Sequence, residues 1–549
     1  MSPATRTGKR VDPSDPIAQF IIQSPDPLAE VGDHDVQVAV NVLKKAADVA
    51  TRDVDGKCWT PGLAIVVVRH RDVLLCNGYG RARVGGPGTI GPETLFPCAS
   101  LSKPVSAALL AHAGVPQTLG AAHEDPWAVS VGYGLVDASD RTKALNTTLR
   151  QWLSHRSGLP DHAGDLIEDL NPSLSQDAIF GCLRDHQTGV DPSHPFNYTN
   201  FGFTMGCLGA MQKVGAGPGW EDASARWLTE LGMTRSTYRF TPADHDVKAD
   251  RAFPHVGQPD RATALLDVDP TGWSWRVASG DQERNPSRQA PAGGLISCAR
   301  DLGRFLIAML TGEYLQFPPK SPPPEDLAQG HSYSLGWNVR NPGRDTVSFS
   351  HSGAFRLGAG TSLRFDPLSG LGVAVLSNGE PTGVPEALTA LFFNQLYGSR
   401  LPAVDDFAGL FAVVRPMMLG QLYPTKIQNY ETYHGRQSDV AAGLPPGPIV
   451  FDGYSPYYAS RIVIERRGTD LVLKLGDGGA GRPLLECPLR CVDKATSTFV
   501  YDTRGENEVG PSAIRLVQEH GAIVRVVDDW LNSSGPRLGE IAADGRVHA

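Results

Sequence analysis

The first half of the chain changes from a mixed hydrophobic pattern to a mainly helical one. Apolar residues recur at helical spacing over residues 36–52, and residues 62–80 form two apolar runs separated by the polar residues 70–72. Such a pair of runs predicts two strands joined by a tight turn. Residues 100–211 have a mainly helical pattern with glycine and proline breaks, and residues 220–231 predict one more short helix.

Strand-like patterns return later in the chain. Residues 346–353, 360–366 and 370–379 predict strands, and residues 383–397 predict a helix. Strands are thus expected on both sides of a helical middle. We therefore predict an α/β (α+β) fold, with one antiparallel sheet flanked by helices and an inserted helical lobe of about residues 100–285.

The character of the chain changes again beyond Pro402. A proline-rich stretch at 443–448 is typical of a linker, and residues 460–476 predict a hairpin that turns near Gly468. Short strand patterns follow, which predict a small C-terminal antiparallel domain resembling a β-barrel. The expected division is a disordered arm at 1–35, a main domain at 36–402, a linker region at 403–449 and a C-terminal β domain at 450–549.

Composition and charge argue against some of the functions that the chain could have. The 549 residues are 41% hydrophobic and 20% charged, and the net charge is -9 with both signs interspersed. This balance argues against a nucleic-acid partner and against binding to an anionic membrane. The chain contains no run of eighteen apolar residues and no apolar signal segment at its start, so we expect no membrane span and a cytoplasmic protein.

The cysteines give no sign of a metal site. All eight are scattered along the chain, which in a cytoplasmic protein predicts free thiols. Cys487 and Cys491 are the closest pair, but they lack both the spacing and the histidine partners of a zinc site. The sequence therefore predicts neither a metal nor a cofactor.

One short motif carries candidate chemistry. Ser100 and Lys103 form an S-x-x-K pair where an extended apolar stretch gives way to a helical pattern, and Pro104 supports a helix start there. Residues three apart on a helix share a face, so the lysine could take the proton of the serine hydroxyl and activate it as a nucleophile. By itself the motif also fits a helix N-cap serine followed by a solvated lysine.

Two later segments supply other groups that acyl transfer through a serine needs. Tyr198 and Asn200 form a Y-x-N motif on an apolar loop, and His351 begins an H-x-G motif that ends at Gly353. Tyr198 could relay the Ser100 proton if a nearby positive charge lowered its pKa from the usual value near 10. The alternatives are a core aromatic residue at 198 and a strand-end histidine bonded to backbone at 351.

The order of these three motifs resembles that of the penicillin-recognising serine enzymes. The chain looks like the class C β-lactamase family in its broad sense, which also holds DD-peptidases, D-aminopeptidases, esterases and a few acyltransferases. The resemblance covers about residues 35–400. Four further stretches are similar to motifs of that family: residues 149–162, 231–238, 291–306 and 333–339.

This resemblance implies a role for each matching residue. Ser100 would be the acylated nucleophile, Lys103 its proton partner, and Tyr198 the base that also protonates the leaving group. Asn200 would hold the amide or ester side of the substrate. The backbone N–H groups of Ser100 and Ala354 would form the oxyanion hole.

The H-x-G motif departs from the family pattern. His351 would take the place of the lysine in K-T-G and, with Gly353, would line the substrate site. Because histidine is mostly neutral at pH 7, it would recognise a carboxylate less well than lysine does. Leu357 also stands where the family often has glycine. We therefore expect an ester or amide substrate rather than efficient β-lactam hydrolysis.

The C-terminal segment resembles the lipocalin-like β domain that some peptidases and esterases of this family carry. There it covers the active-site cleft or mediates assembly, so a homo-oligomer formed through this domain is one expectation. The whole chain is predicted to be a serine hydrolase that cleaves an ester or amide bond of a small molecule or peptide. The alternatives are an acyltransferase of the same fold in a biosynthetic pathway, and a non-catalytic binding protein that retains the fold.

Overall fold

The computed structural model describes most of the chain between residues 26 and 543. The described ranges are 26–120, 131, 147–186, 195–215, 219–239, 250–258, 273–278, 287–312, 331–341, 344–398, 406–422, 424–433, 444, 447–476, 483–503, 506–507, 509–533 and 538–543. The chain divides into two compact units: unit 1 is Met1–Trp127 with Ala210–Leu422, and unit 2 is Ala128–Gly209 with Tyr423–Ala549. The disordered arm predicted at 1–35 lies outside the described residues as far as residue 25.

Unit 1 is built around an antiparallel sheet that has seven strands in the described ranges. Side by side, they are β2 (Asp72–Gly80), β1 (Gly62–Arg69), β11 (Leu371–Ser377), β10 (Ala359–Asp366), β9 (Ser348–Phe355), β8 (Trp337–Arg340) and β7 (His331–Ser334). Distant parts of the chain thus pair directly, as Val67 does with Val373. Two short pairs lie apart from this sheet: β3 (Phe96–Pro97) with β6 (Ile296–Ser297), and β4 (His255–Gln258) with β5 (Ser274–Val277).

Helices pack on both faces of this sheet. The described helices of unit 1 are α1 (Asp33–Thr51), α2 (Ser102–His112), α3 (Val115–Gly120), α8 (Trp220–Glu230), α9 (Ala290–Gly293), α10 (Ala299–Leu310), α11 (Val384–Tyr397) and α12 (Phe407–Leu422). On one face, Ile65 and Val67 join a core cluster with α1, α11 and α12. On the other, Gly303 of α10 lies against Val66. Because both faces are covered, β1 is apolar nearly throughout instead of alternating.

Unit 2 combines helices with a second antiparallel sheet. Its described helices are α4 (Leu149–Leu153), α5 (Asp165–Leu170), α6 (Gln176–His186), the first part of α7 (Asn200–Val214), α13 (Pro424–Tyr433) and α14 (Asp529–Asn532). Its described strands, each paired with the next, are β12 (Ile449–Ser455), β13 (Ser460–Arg467), β14 (Asp470–Leu475), β15 (Leu485–Asp493), β16 (Thr498–Asp502), β17 (Pro511–Glu519), β18 (Ala522–Asp528) and β19 (Glu540–Ala542).

The second sheet curls until its first and last strands meet. A Cβ atom added at Gly453 of β12 would lie 2.8 Å from the carbonyl oxygen of Ala542 in β19. Buried and exposed positions alternate along β15, as expected for a sheet with one face on a core. The sheet is therefore a nearly closed, barrel-like one, which leaves little open strand edge.

The fold class predicted from the sequence is confirmed. The main sheet is antiparallel and flanked by helices, and the C-terminal strands form the barrel-like sheet. The region 403–449, which the sequence suggests is a linker, contains helices α12 and α13 in its described part. No helix among the described residues is both long enough and apolar enough to cross a membrane.

Candidate active site

The candidate nucleophile lies in a strained turn just ahead of helix α2. Residues Ala99–Leu101 form one 3₁₀ turn, and α2 begins at Ser102. Ala99 has a φ of 48°, a left-handed conformation that residues other than glycine adopt rarely. Such strain persists only where surrounding contacts impose it, and it is common at functional sites. Ser100, which follows, is partly exposed.

Lys103 points back at the serine from the first turn of α2. Its side chain is 0% exposed, and its Nζ lies 3.0 Å from the Ser100 Oγ. The ammonium also donates to the backbone carbonyl of Ala292 at 3.0 Å. A buried charge costs free energy unless it is hydrogen-bonded, and both of these contacts supply such bonds. The alternative of a solvated lysine is therefore wrong.

Hydrogen bonds from neighbouring segments hold this turn in place. The Ser102 hydroxyl donates to the carbonyl of Ala99 at 2.6 Å and accepts from the N–H of Leu295 at 2.8 Å. Thr361 of β10 donates to the carbonyl of Cys98 at 3.0 Å. Ser102 is fully buried. Its hydroxyl therefore acts as a structural link, although it lies only two residues after the candidate nucleophile.

Strand β9 passes beside the serine backbone at Gly353. A Cβ atom there would lie 3.0 Å from the Ser100 backbone nitrogen and 2.5 Å from the Cys98 carbonyl oxygen, so a larger residue would push the strand away. Among the described residues, strand β8 pairs with β9 over Ser348–Ser350. The edge at 351–355 therefore lies outside that ladder. A strand edge of this kind can bind an extended ligand through backbone hydrogen bonds.

His351 is buried beside the lysine and is neutral. It is 4% exposed, and burial together with the Lys103 ammonium lowers its pKa to about 3. Its Nδ1 lies 2.6 Å from the carbonyl oxygen of Ser352, so Nδ1 must be the donor. The remaining Nε2 then accepts from the Tyr333 hydroxyl at 2.8 Å. The imidazole thus fixes Tyr333 rather than supplying a positive charge.

A carboxyl group lies on the same stretch of β9. Glu386, in the first turn of α11, is hydrogen-bonded to the Ser352 side chain, and burial raises its pKa to about 7. Ser352 stands between His351 and Gly353 in the sequence. The neutral histidine and this carboxyl group therefore supply no cation here that would favour an anionic ligand.

The Tyr198 loop of unit 2 is held by His155. The His155 side chain is fully buried, and its Nδ1 accepts from the backbone N–H of Thr199 at 3.1 Å. Its ring lies 4.1 Å from that of Tyr198, centroid to centroid. The N–H of Asn197 donates to the His155 carbonyl at 2.8 Å. Tyr198 is itself partly exposed, so it is not a fully enclosed core aromatic residue.

The side chain of Asn200 is oriented by a buried carboxylate. Its Nδ2 donates to Asp165 Oδ2 at 2.9 Å, and His162 Nδ1 donates to the same oxygen at 2.9 Å. Asp165 is 4% exposed. The backbone N–H of His162 also donates to the carbonyl of Tyr198 at 2.8 Å. Asp165 and His162 together therefore restrain both residues of the Y-x-N motif.

The predicted site residues are distributed over the two units. Unit 1 contains Ser100, Lys103, His351, Gly353 and Ala354, the last on the same edge of β9. Unit 2 contains Tyr198 and Asn200 as close neighbours. In the described part of the chain, no group of three or more histidine, cysteine, aspartate or glutamate side chains is placed to hold a metal ion.

Sequence reasoning missed several supporting groups. The Ala292 carbonyl and Tyr333 both lie within stretches that resemble family motifs, 291–306 and 333–339, so those motifs were the available signal. Asp165 lies just beyond another such stretch, 149–162, and had no signal of its own. Motif matching thus located the segments but gave no role to their side chains.

Comparison with known proteins finds a matching family model and several solved structures with a similar fold. A family model described as Beta-lactamase matches residues 46–393. EstCE1, a hydrolase with promiscuous acyltransferase activity, has a similar structure and is 16% identical, with a TM-score of 0.50 over 67% of this chain and 100% of that one. A class C β-lactamase mutant is also 16% identical, with a TM-score of 0.49 over 67% of this chain and 100% of that one.

A third similar structure covers a larger share of the chain. The octameric penicillin-binding protein homologue from Pyrococcus abyssi is 17% identical, with a TM-score of 0.47 over 90% of this chain and 97% of that one. At such identities these likenesses concern the fold alone. The family model, however, matches well over half of the chain, including Ser100, Lys103, Tyr198 and His351. The chain therefore belongs to the Beta-lactamase family.

Proposed function

We propose that this chain is a serine hydrolase that cleaves an ester or amide bond through an acyl-enzyme on Ser100. One observation carries the proposal: the fully buried Lys103 places its Nζ 3.0 Å from the Ser100 Oγ and is held there by the Ala292 carbonyl. A serine hydroxyl needs an adjacent group to take its proton, and few other reasons require a buried lysine at this place.

The acylation step follows from these groups. Ser100 Oγ attacks the substrate carbonyl carbon while its proton passes to Lys103, which takes part in this step as the neutral amine. The carbonyl oxygen becomes an oxyanion, which accepts from the backbone N–H groups of Ser100 and Ala354. The carbonyl–heteroatom bond then breaks, and Tyr198 protonates the leaving alcohol or amine. Asn200 holds the substrate on the leaving-group side.

Deacylation reverses the proton path. A water molecule attacks the acyl carbon, and its proton passes to the same base that Ser100 had used. The bond between the acyl carbon and Ser100 Oγ breaks, and the serine recovers its proton. The products are a carboxylic acid and the regenerated enzyme. An added alcohol that took the place of water would instead yield a new ester.

The groups along β9 favour a substrate without an essential carboxylate. His351 is neutral because its pKa is lowered to about 3, and the next residue is bonded to the carboxyl group of Glu386. Recognition of a carboxylate usually depends on a permanent positive charge. An uncharged ester or amide therefore suits this edge better than the carboxylate of a penicillin. Gly353 and Ala354 would contact such a substrate through their backbone.

The experiment that tests the proposal is detection of the acyl-enzyme by intact mass. The full chain is incubated with p-nitrophenyl esters, D-amino acid amides and a β-lactam. We expect a mass increase of one acyl group with at least one ester, and its absence in Ser100→Ala. Ser102→Ala, which alters a buried structural hydroxyl, should still be acylated. Turnover that survives Ser100→Ala would overturn the proposal. If the acyl-enzyme does form, adding alcohols to the reaction distinguishes hydrolysis from acyl transfer.

A further inference from the structure

Helix α5 connects the Y-x-N loop to the C-terminal sheet within unit 2. The helix is short, Asp165–Leu170, and its N-cap is Gly164 with a φ of 95°. A Cβ atom at Gly164 would lie 2.6 Å from the Phe201 ring, so only glycine lets α5 approach the start of α7 this closely. The Y-x-N motif ends at Asn200, the first residue of α7. The N-terminal end of α5 thus lies against the motif.

Asp165 makes this contact chemically specific. Its Oδ2 accepts from both Asn200 Nδ2 and His162 Nδ1 at 2.9 Å. Its other oxygen, Oδ1, is buried and has no hydrogen-bond partner among the described residues. Burying a carboxylate oxygen without a hydrogen-bond partner costs free energy. A residue kept at such a cost is a candidate for a role beyond stability.

The C-terminal sheet holds α5 at both of its ends. The Tyr457 hydroxyl is hydrogen-bonded to the backbone of Gly164, and its ring is fully buried. Asn171, which follows the helix and is 2% exposed, donates to the Tyr458 carbonyl and to Ser460 Oγ at 2.9 Å. No motif in the sequence indicates these bonds, because they join residues almost three hundred positions apart.

A third contact lies between these two ends. The carboxylate of Asp169 accepts from both the backbone N–H and the side-chain amide of Asn507, at 2.8 and 2.9 Å. Gly476, which directly follows β14, is close to the Leu170 carbonyl, since a Cβ atom there would lie 2.8 Å from that oxygen. The contacts are thus spread along the helix, as expected for a support that fixes both its position and its rotation.

We propose that Asp165 is a positioning residue for Tyr198 and Asn200, and that the C-terminal β domain holds it in place through α5. This inference rests on the proposed function, because it takes those two residues as part of the catalytic site. The C-terminal domain then contributes to catalysis without contacting the substrate. A displacement of about 1 Å of a reacting group can lower a rate by about two orders of magnitude, so holding Tyr198 and Asn200 in place should maintain the reaction rate.

The test uses leaving groups of different basicity. A p-nitrophenolate leaves without protonation, whereas an alkoxide must be protonated, so misplacing Tyr198 should slow alkyl esters far more than p-nitrophenyl esters. We expect Asp165→Ala to lower kcat/KM by about 100-fold for an alkyl ester and by less than about 5-fold for the p-nitrophenyl ester of the same acid. Asp165→Asn keeps one acceptor oxygen and should restore part of the loss.

A matched control and a remote variant complete the design. Asp177→Ala removes an exposed carboxylate of the same unit and should change neither rate. Tyr457→Phe removes only the hydroxyl at Gly164 and should reproduce the same selective loss at about 10-fold, whereas Tyr454→Phe, an exposed tyrosine of β12, should not. Each variant is checked for folding by circular dichroism and thermal unfolding.

Two outcomes would overturn the inference. Equal losses with both esters in Asp165→Ala and Tyr457→Phe would indicate only a smaller folded fraction. Unchanged rates in well-folded variants would mean that α5 does not position the loop. Either result leaves the Ser100 acyl-enzyme intact and so differs from a failure of the proposed function, in which no acyl adduct forms in the unaltered chain.

Discussion

The Ser100 turn and the Tyr198 loop carry neighbouring roles in the proposed reaction, but they are held by different means. The turn is fixed mainly by backbone and small side chains: Gly353 lies against its backbone, and Ser102 and Thr361 bond its carbonyl groups. The loop is fixed by side chains that can ionise, namely His155, His162 and Asp165. The first arrangement combines close packing with hydrogen bonds from neutral hydroxyl groups, and the second depends on hydrogen bonds made by histidine and carboxylate groups.

The two segments should therefore respond differently to substitutions that add volume and to substitutions that remove a hydrogen-bonding atom. A tightly packed backbone contact tolerates no added atom but is indifferent to charge. A network of histidine and carboxylate groups tolerates small changes of volume but loses its geometry when one donor or acceptor is removed. Added methyl groups should therefore damage the turn most, and removal of hydrogen-bonding atoms should damage the loop most.

Gly353→Ala should disturb the Ser100 turn, and it should lower the activity more than the other substitutions discussed here. The new Cβ would lie 2.5 Å from the Cys98 carbonyl oxygen and 3.0 Å from the Ser100 nitrogen. Relief requires movement of β9 away from the turn, which would disturb the oxyanion site. We expect kcat/KM to fall by about 10²- to 10³-fold and the free energy of unfolding to fall by about 1–3 kcal/mol. Ester kinetics and urea unfolding measure both.

Gly360→Ala on the adjacent strand is the matched control. A Cβ atom at Gly360 would have its nearest contact at 3.6 Å, which is ordinary van der Waals distance. That variant should keep its activity within about 3-fold, because it adds the same methyl group without a clash. Similar behaviour of the two variants would contradict the steric account of the turn.

Much of the main sheet could be predicted from the chain, for a local reason. The run over residues 62–80 gave β1 and β2, and residues 360–366 gave β10 almost residue for residue. Hydrophobic periodicity is set by which face of an element is buried, so it is visible in a short window. The Ser100–Lys103 contact was predictable in the same way, since residues three apart on a helix share a face.

The rest depended on contacts between distant positions. The strained φ of Ala99 arises from neighbours such as Thr361 and Gly353, which no local pattern connects with it. The bond from Asn171 to Ser460 likewise joins residues 289 positions apart. Secondary-structure patterns carry no pairing information of that kind, so the support of the loop by the C-terminal sheet was invisible in the sequence.

His155→Leu should disturb the Tyr198 loop, and its effect on the rate should be smaller than that of Gly353→Ala. The substitution keeps most of the volume but leaves the Thr199 N–H without its acceptor and removes the ring that lies 4.1 Å from Tyr198. We expect the free energy of unfolding to fall by about 1–3 kcal/mol, because a buried donor is left unsatisfied. The rate with alkyl esters should fall by about 10-fold. Urea unfolding and leaving-group kinetics measure the two effects.

An exposed histidine provides the comparison for this variant. His34, at the start of α1, is exposed, and His34→Leu should change neither stability nor rate. If His155→Leu kept full stability and the same leaving-group dependence, the loop would not be held by hydrogen bonding, and the contrast with the Ser100 turn would fail.

His351→Gln tests the charge state of the β9 edge beside Ser100 through the pH dependence of stability. Of the three substitutions it should change the rate least. The folded chain keeps His351 neutral with a pKa of about 3, whereas an unfolded histidine has a pKa near 6.5. Below pH 6.5 the unfolded state binds a proton that the folded state does not, so this residue destabilises the fold increasingly as pH falls. Glutamine removes that contribution but also weakens the bond to Tyr333. The variant should therefore be less stable than the parent chain at pH 7.5.

The gap between the two proteins should narrow by about 2–3 kcal/mol between pH 7.5 and 4.5, since each pH unit below 6.5 contributes about 1.4 kcal/mol. Carboxyl groups whose pKa is raised to about 7, such as Asp528, titrate in both proteins and cancel in the difference. Urea unfolding at several pH values measures the gap. A gap that stayed constant would mean that His351 has the same pKa in the folded and unfolded chain, near 6.5. The β9 edge would then carry a cation beside Ser100 below about pH 6.5, and binding of a carboxylate-bearing substrate should strengthen in that range.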